Sequence, residues 1–112
     1  MKDINSQVIE NTMQTVGITP SPEQIVAFRQ AVADKLATIT NNSRTFTQDR
    51  AGSLVYVGVR TYQKWEYGTR TMSRATWELF VLKSVAYMNG VLSSYFNKQP
   101  VTAGSVRKVA KR

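Results

Sequence analysis

The sequence predicts an all-α protein: a compact bundle of about five helices followed by a basic tail. Three observations lead there. Apolar residues recur at three- and four-residue spacing through most of the first 96 residues. The interruptions between those stretches are made of proline, glycine and helix-capping residues. From residue 97 onward the periodicity is lost, and Pro, Gly, Ser and basic residues take over. The chain thus divides into an N-terminal helical segment (1–20), a main domain (21–96) and a flexible tail (97–112).

Taken in order, residues 5–16 carry Val8, Ile9, Thr12, Met13 and Val16 at helical spacing, with Gly17 placed to end the helix. Thr19-Pro20-Ser21-Pro22 is a break, within which Ser21 reads as an N-cap, Pro22 as the first helical residue and Gln24 as the capping-box partner. The helix that follows repeats Ile25, Phe28, Val32 and Leu36 on one face and is expected to fade between Thr38 and Thr40, before an Asn41-Asn42-Ser43 loop. Thr47 can cap a helix over Gln48 to Val55, with Asp49 favourably placed in its first turn. A tight turn, Tyr56-Val57-Gly58, leads into a helix from Val59 to Glu66, which ends at Tyr67-Gly68-Thr69 with Gly68 in the left-handed conformation. Ser73 caps the next helix, whose Trp77, Phe80, Val81, Ser84 and Met88 share a face. Asn89-Gly90 reads as its stop, and Val91, Leu92, Tyr95 and Phe96 as a short closing helix or segment.

Composition narrows the function. With 112 residues, 42% hydrophobic and eleven aromatics, the chain has the makings of one core. It contains no cysteine and no histidine, which removes disulfides, thiolate or imidazole metal sites, and the Ser-His and Cys-His nucleophile arrangements. No apolar run reaches the roughly 20 residues of a membrane span. Met1-Lys2-Asp3-Ile4-Asn5 is too polar for a signal peptide, so the expected location is cytoplasmic, associated with the nucleoid. No cofactor, metal, small-molecule ligand or enzymatic activity is expected.

The net charge of +8 points to a polyanionic partner, and its placement says more than its size. Residues 1–43 sum to −1, residues 44–74 to +4, residues 75–96 to zero and residues 97–112 to +5. A charge serving solubility alone would be spread more evenly.

The central basic block coincides with two short helices joined by about three residues, the geometry in which one helix braces a second in a major groove. Gly52, preceded by Ala51, is the small residue needed where the second helix crosses the first, and Val55, Val57, Tyr62 and Trp65 fill the inward places. Arg60, Gln63 and Lys64 are left outward, with the short side chains of Val59 and Thr61. Arginine can pair with guanine O6 and N7, glutamine with adenine N6 and N7, and Val or the Thr methyl can touch a thymine methyl.

Residues 47–82, and more loosely 21–90, resemble the helix-turn-helix of the phage repressor and Cro family, whose members often read GVSxRTxQxWExG here. The run Arg60-Thr61-Tyr62-Gln63-Lys64-Trp65-Glu66-Tyr67-Gly68 carries the likeness. The resemblance implies a lambda-repressor-like bundle with base contacts from Val59, Arg60, Gln63 and Lys64, and backbone contacts from Gln48, Thr61, Thr69 and Arg70. It also implies a homodimeric repressor of phage, plasmid or similar origin, reading an inverted-repeat DNA operator. The chain departs from the pattern at Tyr56, where the family prefers glycine in the turn, and at Gly58, where Ser or Thr normally caps the second helix. The stretch from Thr38 to Phe46 is also longer than usual, through either a lengthened helix or an added loop.

Plainer readings bound these assignments. Tyr62 and Trp65, three apart on a helix, suit core packing better than stacking on single-stranded nucleic acid, and Trp77 and Phe80 follow the same logic. Glu66 reads as a structural group near a helix end, Arg70 and Arg74 equally as phosphate contacts or plain surface charge, and Arg44 and Arg50 as surface charge. The tail residues Arg107, Lys108, Lys111 and Arg112 are either solubilising charge or an arm on DNA. Two rivals keep the fold and change the partner: a protein-interaction module, such as an antitoxin or an inhibitor of a host complex, and an RNA-binding regulator.

Overall fold

Proline costs nothing at the first turn of a helix, because the N–H it lacks would have no partner there, and the chain places Pro22 at that position. In the computed structural model, which describes residues 3–41 and 46–97, Ser21 Oγ accepts from the Gln24 amide at 3.1 Å and Gln24 Oε1 accepts from the Ser21 amide at 2.7 Å. This capping box opens α2 (Pro22–Thr40), against which three of the other four helices pack. Helix α1 (Ile4–Gln14) lies along it. Helices α3 (Gln48–Leu54) and α4 (Val59–Tyr67) pack on each other; α4 rests on α2, and α3 on α5 (Arg74–Asn97). The described residues form a compact, all-helical arrangement with no strand.

The core is aromatic. Phe80 of α5 lies at its centre, with its ring 5.7 Å from Phe28 of α2, 6.3 Å from Phe46, 5.6 Å from Tyr62 of α4 and 6.1 Å from Trp77. Ile25, Val32, Leu36, Met72 and Val81 close around these rings, all at most 1% exposed. The faces anticipated from the spacing of Ile25, Phe28, Val32 and Leu36, and of Trp77, Phe80, Val81, Ser84 and Met88, are the buried ones. Tyr62 and Trp65 lie in this core, as their spacing predicted.

Helix α1 stops at Gln14, short of the expected residue 16, and Gly17 does not take the left-handed conformation. Thr15 ends the helix instead: its amide turns back to the Thr12 carbonyl at 3.1 Å and its hydroxyl to that of Asn11 at 3.0 Å. At the other end Asp3 accepts from the Ser6 amide at 2.7 Å. Helix α2 ends at Thr40, within the range the sequence suggested, and Asn41 closes it at φ 58°, a conformation that asparagine tolerates. Of the stretch from Thr38 to Phe46, the residues up to Thr40 are helical. Residues 42–45 lie outside the described residues, as do residues 98–112 with the tail candidates Arg107, Lys108, Lys111 and Arg112.

The Asn89-Gly90 stop signal is overridden. Helix α5 runs through it to Asn97, so the expected separate closing segment is the last part of one 24-residue helix. The cause is packing. Met88 is buried, while Val91 and Leu92 lie half-buried against the core on the far side of the glycine, and ending the helix would strip them from it. Glycine in a helix costs about 1 kcal/mol relative to alanine, less than these side chains contribute.

Gly90 is exposed and a methyl group there would meet nothing within 4 Å. Gly90→Ala is therefore expected to raise the stability by roughly 0.5–1 kcal/mol in urea or thermal unfolding. A loss of stability would mean that the glycine ends the helix after all.

Candidate nucleic-acid interface

The joint between α3 and α4 is built from two residues that solve opposite problems. At Gly52 the helices touch: an added Cβ would lie 3.1 Å from Tyr62 Cβ, 3.1 Å from the Val57 carbonyl oxygen and 3.3 Å from that of Gly58. Gly52 is thus the small crossing residue that the sequence suggested. At Tyr56 the backbone turns through φ +67°, the left-handed region where glycine is usual. The turn keeps this geometry with a full side chain in place. The Val55 and Val57 amides both bond to the Gly52 carbonyl at 3.1 Å, and the Tyr56 amide bonds to that of Ser53 at 3.2 Å. Tyr56 is 79% exposed; its ring lies under Lys83 Nζ at 4.2 Å from the ring centroid, and Nζ donates to the Tyr56 hydroxyl at 2.8 Å.

Helix α4 then presents two unlike faces. Tyr62, Trp65 and Glu66 are buried. Arg60 and Lys64 are exposed, and Val59, Thr61 and Gln63 are half-buried beside them. Gly68 at φ +84° ends the helix, and the Thr69 and Arg70 amides return to the Lys64 carbonyl at 3.0 and 3.2 Å, leaving both side chains in solvent. Thus Arg60, Gln63 and Lys64 fall on one surface with Thr69 and Arg70 at its end. Arg50 is directed elsewhere, over the Tyr87 ring at 5.6 Å.

Behind that surface runs a polar relay that sequence reasoning missed in its main member. Arg29 of α2 donates from Nε to Glu66 Oε2 at 2.6 Å and from Nη2 to Oε1 at 3.3 Å, and its Nη1 reaches the Phe46 carbonyl at 3.4 Å. Gln48 Nε2 donates to Glu66 Oε1 at 2.8 Å, and Gln63 Nε2 donates to Gln48 Oε1 at 3.0 Å. Glu66 is structural, as its position suggested. Gln48, assigned by resemblance to the DNA backbone, uses both ends of its amide inside the protein and retains one free N–H. A charged residue beside the buried Phe28, with a lone glutamate four residues after Tyr62, was the available signal for Arg29. Neither residue alone marks the other.

Electrostatics follow from this packing. Burial alone would raise the Glu66 carboxyl, but the Arg29 and Gln48 hydrogen bonds, reinforced by the Arg29 charge, hold it below its ordinary 4.5. Burial in turn opposes the Arg29 charge, yet the hydrogen bond and charge of Glu66 leave its guanidinium pKa raised. Burial also pushes the Tyr62 hydroxyl up, and the neighbouring Glu66 carboxylate adds to this, although that hydroxyl makes no hydrogen bond of its own. No known family model, curated protein or solved structure matches the chain, so its role has to be read from these residues.

Gly52→Ala is expected to cost about 1–3 kcal/mol, although alanine is the better helix former, because the added methyl forces α4 away from α3. Denaturant midpoints of the two proteins measure this. A second expectation concerns acid. The folded-state pKa of Glu66 is lowered, so its contribution is complete above the unfolded value near 4.5 and is lost as pH falls through the lower folded value. Relative to Glu66→Gln, the parent should be more stable by on the order of 1–3 kcal/mol at neutral pH. Melting temperatures across a pH series should show the gap closing below pH 4.5; a gap independent of pH would refute the ionised pair.

Proposed function

We propose that this chain is a sequence-specific transcriptional regulator that binds duplex DNA as a homodimer through a helix-turn-helix formed by α3 and α4. The observation that carries the reading is the two-faced α4. Its buried face is locked by Tyr62, Trp65 and the Arg29–Glu66 pair, while Arg60, Gln63 and Lys64 stand outward with no exposed acid among them. A rigid helix with donor-rich side chains on a free face suits major-groove reading, and its firm seat on α3 keeps those side chains in register.

Arg60 and Lys64 are the foremost base contacts, with Val59 and Gln63 beside them. Thr61, Thr69 and Arg70 lie near the DNA backbone, together with the remaining Gln48 N–H. The resemblance to repressors of phages and plasmids supports repression as the output and an inverted-repeat operator as the target. Each copy would read one half-site, with centres about 34 Å apart. Exposed Leu79 and Leu82 on α5 offer apolar surface for the second copy. The basic tail would add affinity without regard to sequence.

Selection from a randomised duplex pool at about 150 mM salt tests the reading, with enrichment of a palindromic duplex as the expected result. Arg60→Ala should relax base preference at one position per half-site and cost about 1–3 kcal/mol. Removing residues 105–112 should weaken binding to all duplexes alike and flatten the salt dependence. Retention of RNA, or of a protein partner without nucleic acid, would overturn the proposal in favour of a rival.

A further inference from the structure

We propose that Gln63 is a reader of fixed polarity for a base amino group, adenine N6 in preference to others, and that Gln48 is the positioning residue that holds it so. The inference rests on the duplex-DNA reading above and adds the base that is read.

A glutamine amide has two ends of nearly equal size and opposite hydrogen-bonding character, so a free one presents either end. Here the relay removes the choice. Arg29 is a donor only, and the Glu66 carboxylate facing it is an acceptor only. Gln48 must therefore turn its NH₂ towards Glu66, and does so at 2.8 Å. Its carbonyl then faces the other way and accepts from Gln63 Nε2 at 3.0 Å. Reversing Gln63 would set two carbonyl oxygens against each other, and reversing Gln48 would set a carbonyl against a carboxylate. The polarity of the ion pair is passed through two amides to the surface of α4.

What Gln63 has left is its Oε1, which accepts no hydrogen bond among the described residues, and one Nε2 hydrogen. Phosphate oxygens are acceptors, as are guanine O6 and N7 and thymine O4, so none of them can meet Oε1. In the major groove the donors are adenine N6 and cytosine N4. Adenine also offers N7 beside N6 to accept the remaining Gln63 hydrogen, a second bond for which cytosine has no counterpart there. Arg60 and Lys64 can serve a base or a phosphate, whereas the free oxygen of Gln63 can serve only a base.

The test uses the full chain, the randomised duplex pool, and the variants Gln63→Ala and Gln48→Ala, with circular dichroism to check folding. The parent is expected to select adenine at one position per half-site, by about tenfold over guanine or thymine. Gln63→Ala should lose that preference alone. Gln48→Ala, which leaves Gln63 in place but unlocked, should lose most of it while preference at the other positions stands. A second arm needs no variant. Replacing the selected adenine by purine, which lacks the N6 amino group, should weaken parent binding by about tenfold. If no duplex is selected, the DNA-binding reading itself fails. If a duplex is selected but Gln48→Ala changes nothing, or the purine duplex binds as well as the adenine one, the lock is refuted and the regulator remains.

Discussion

The Arg29–Glu66 pair is the interaction on which the rest of the molecule depends. The Glu66 side chain is 3% exposed and that of Arg29 14%, and an ion pair so far from water is tolerated only when its hydrogen-bonding capacity is filled. Arg29 bonds both carboxylate oxygens and the Phe46 carbonyl, while Gln48 occupies the carboxylate from the other side. One guanidinium thus ties α2, the residue leading into α3, and α4 to a common point. Rotating α4 by one residue would leave the half-buried Arg29 without a counter-ion, so the pair sets which side of α4 faces inward.

That choice of face links packing to the surface proposed for recognition. With Glu66 turned in, Tyr62 and Trp65 lie against Phe80 and the core, and Arg60 and Lys64 are left in solvent. The basic surface is the remainder after the aromatic residues and the acid have been taken inside. Removing Glu66 from the surface also removes the one carboxylate of α4 that would repel a phosphate.

The α3–α4 joint shows how an unfavourable residue is accommodated. A non-glycine residue in the left-handed region costs about 1–2 kcal/mol. At Tyr56 the Lys83 ammonium over the exposed ring returns about 0.5–1 kcal/mol of that. The turn therefore has the shape expected of glycine, with tyrosine holding α5 to the loop. Gly52 has no such latitude, because the atoms facing it include two backbone carbonyls that cannot move independently.

The sequence by itself determined the helical class, the caps at Ser21, Thr47 and Ser73, and the buried faces of α2, α4 and α5, because each follows from residues within a turn or two of one another. It misplaced the ends of α1 and α5: Gly17 and Asn89-Gly90 look like stops, yet the local hydrogen bonds of Thr15 supply the first ending, and the packing of Met88, Val91 and Leu92 overrides the second. Only the tertiary structure decided the relay. Its bonds join residues 37, 18 and 15 positions apart, and no local pattern links an arginine in one helix to a glutamate in another. The outward arginine and lysine of α4 were legible because a helical face is periodic. The polarity of Gln63 was not, because it is inherited through a chain of hydrogen bonds that exists only once the helices have met.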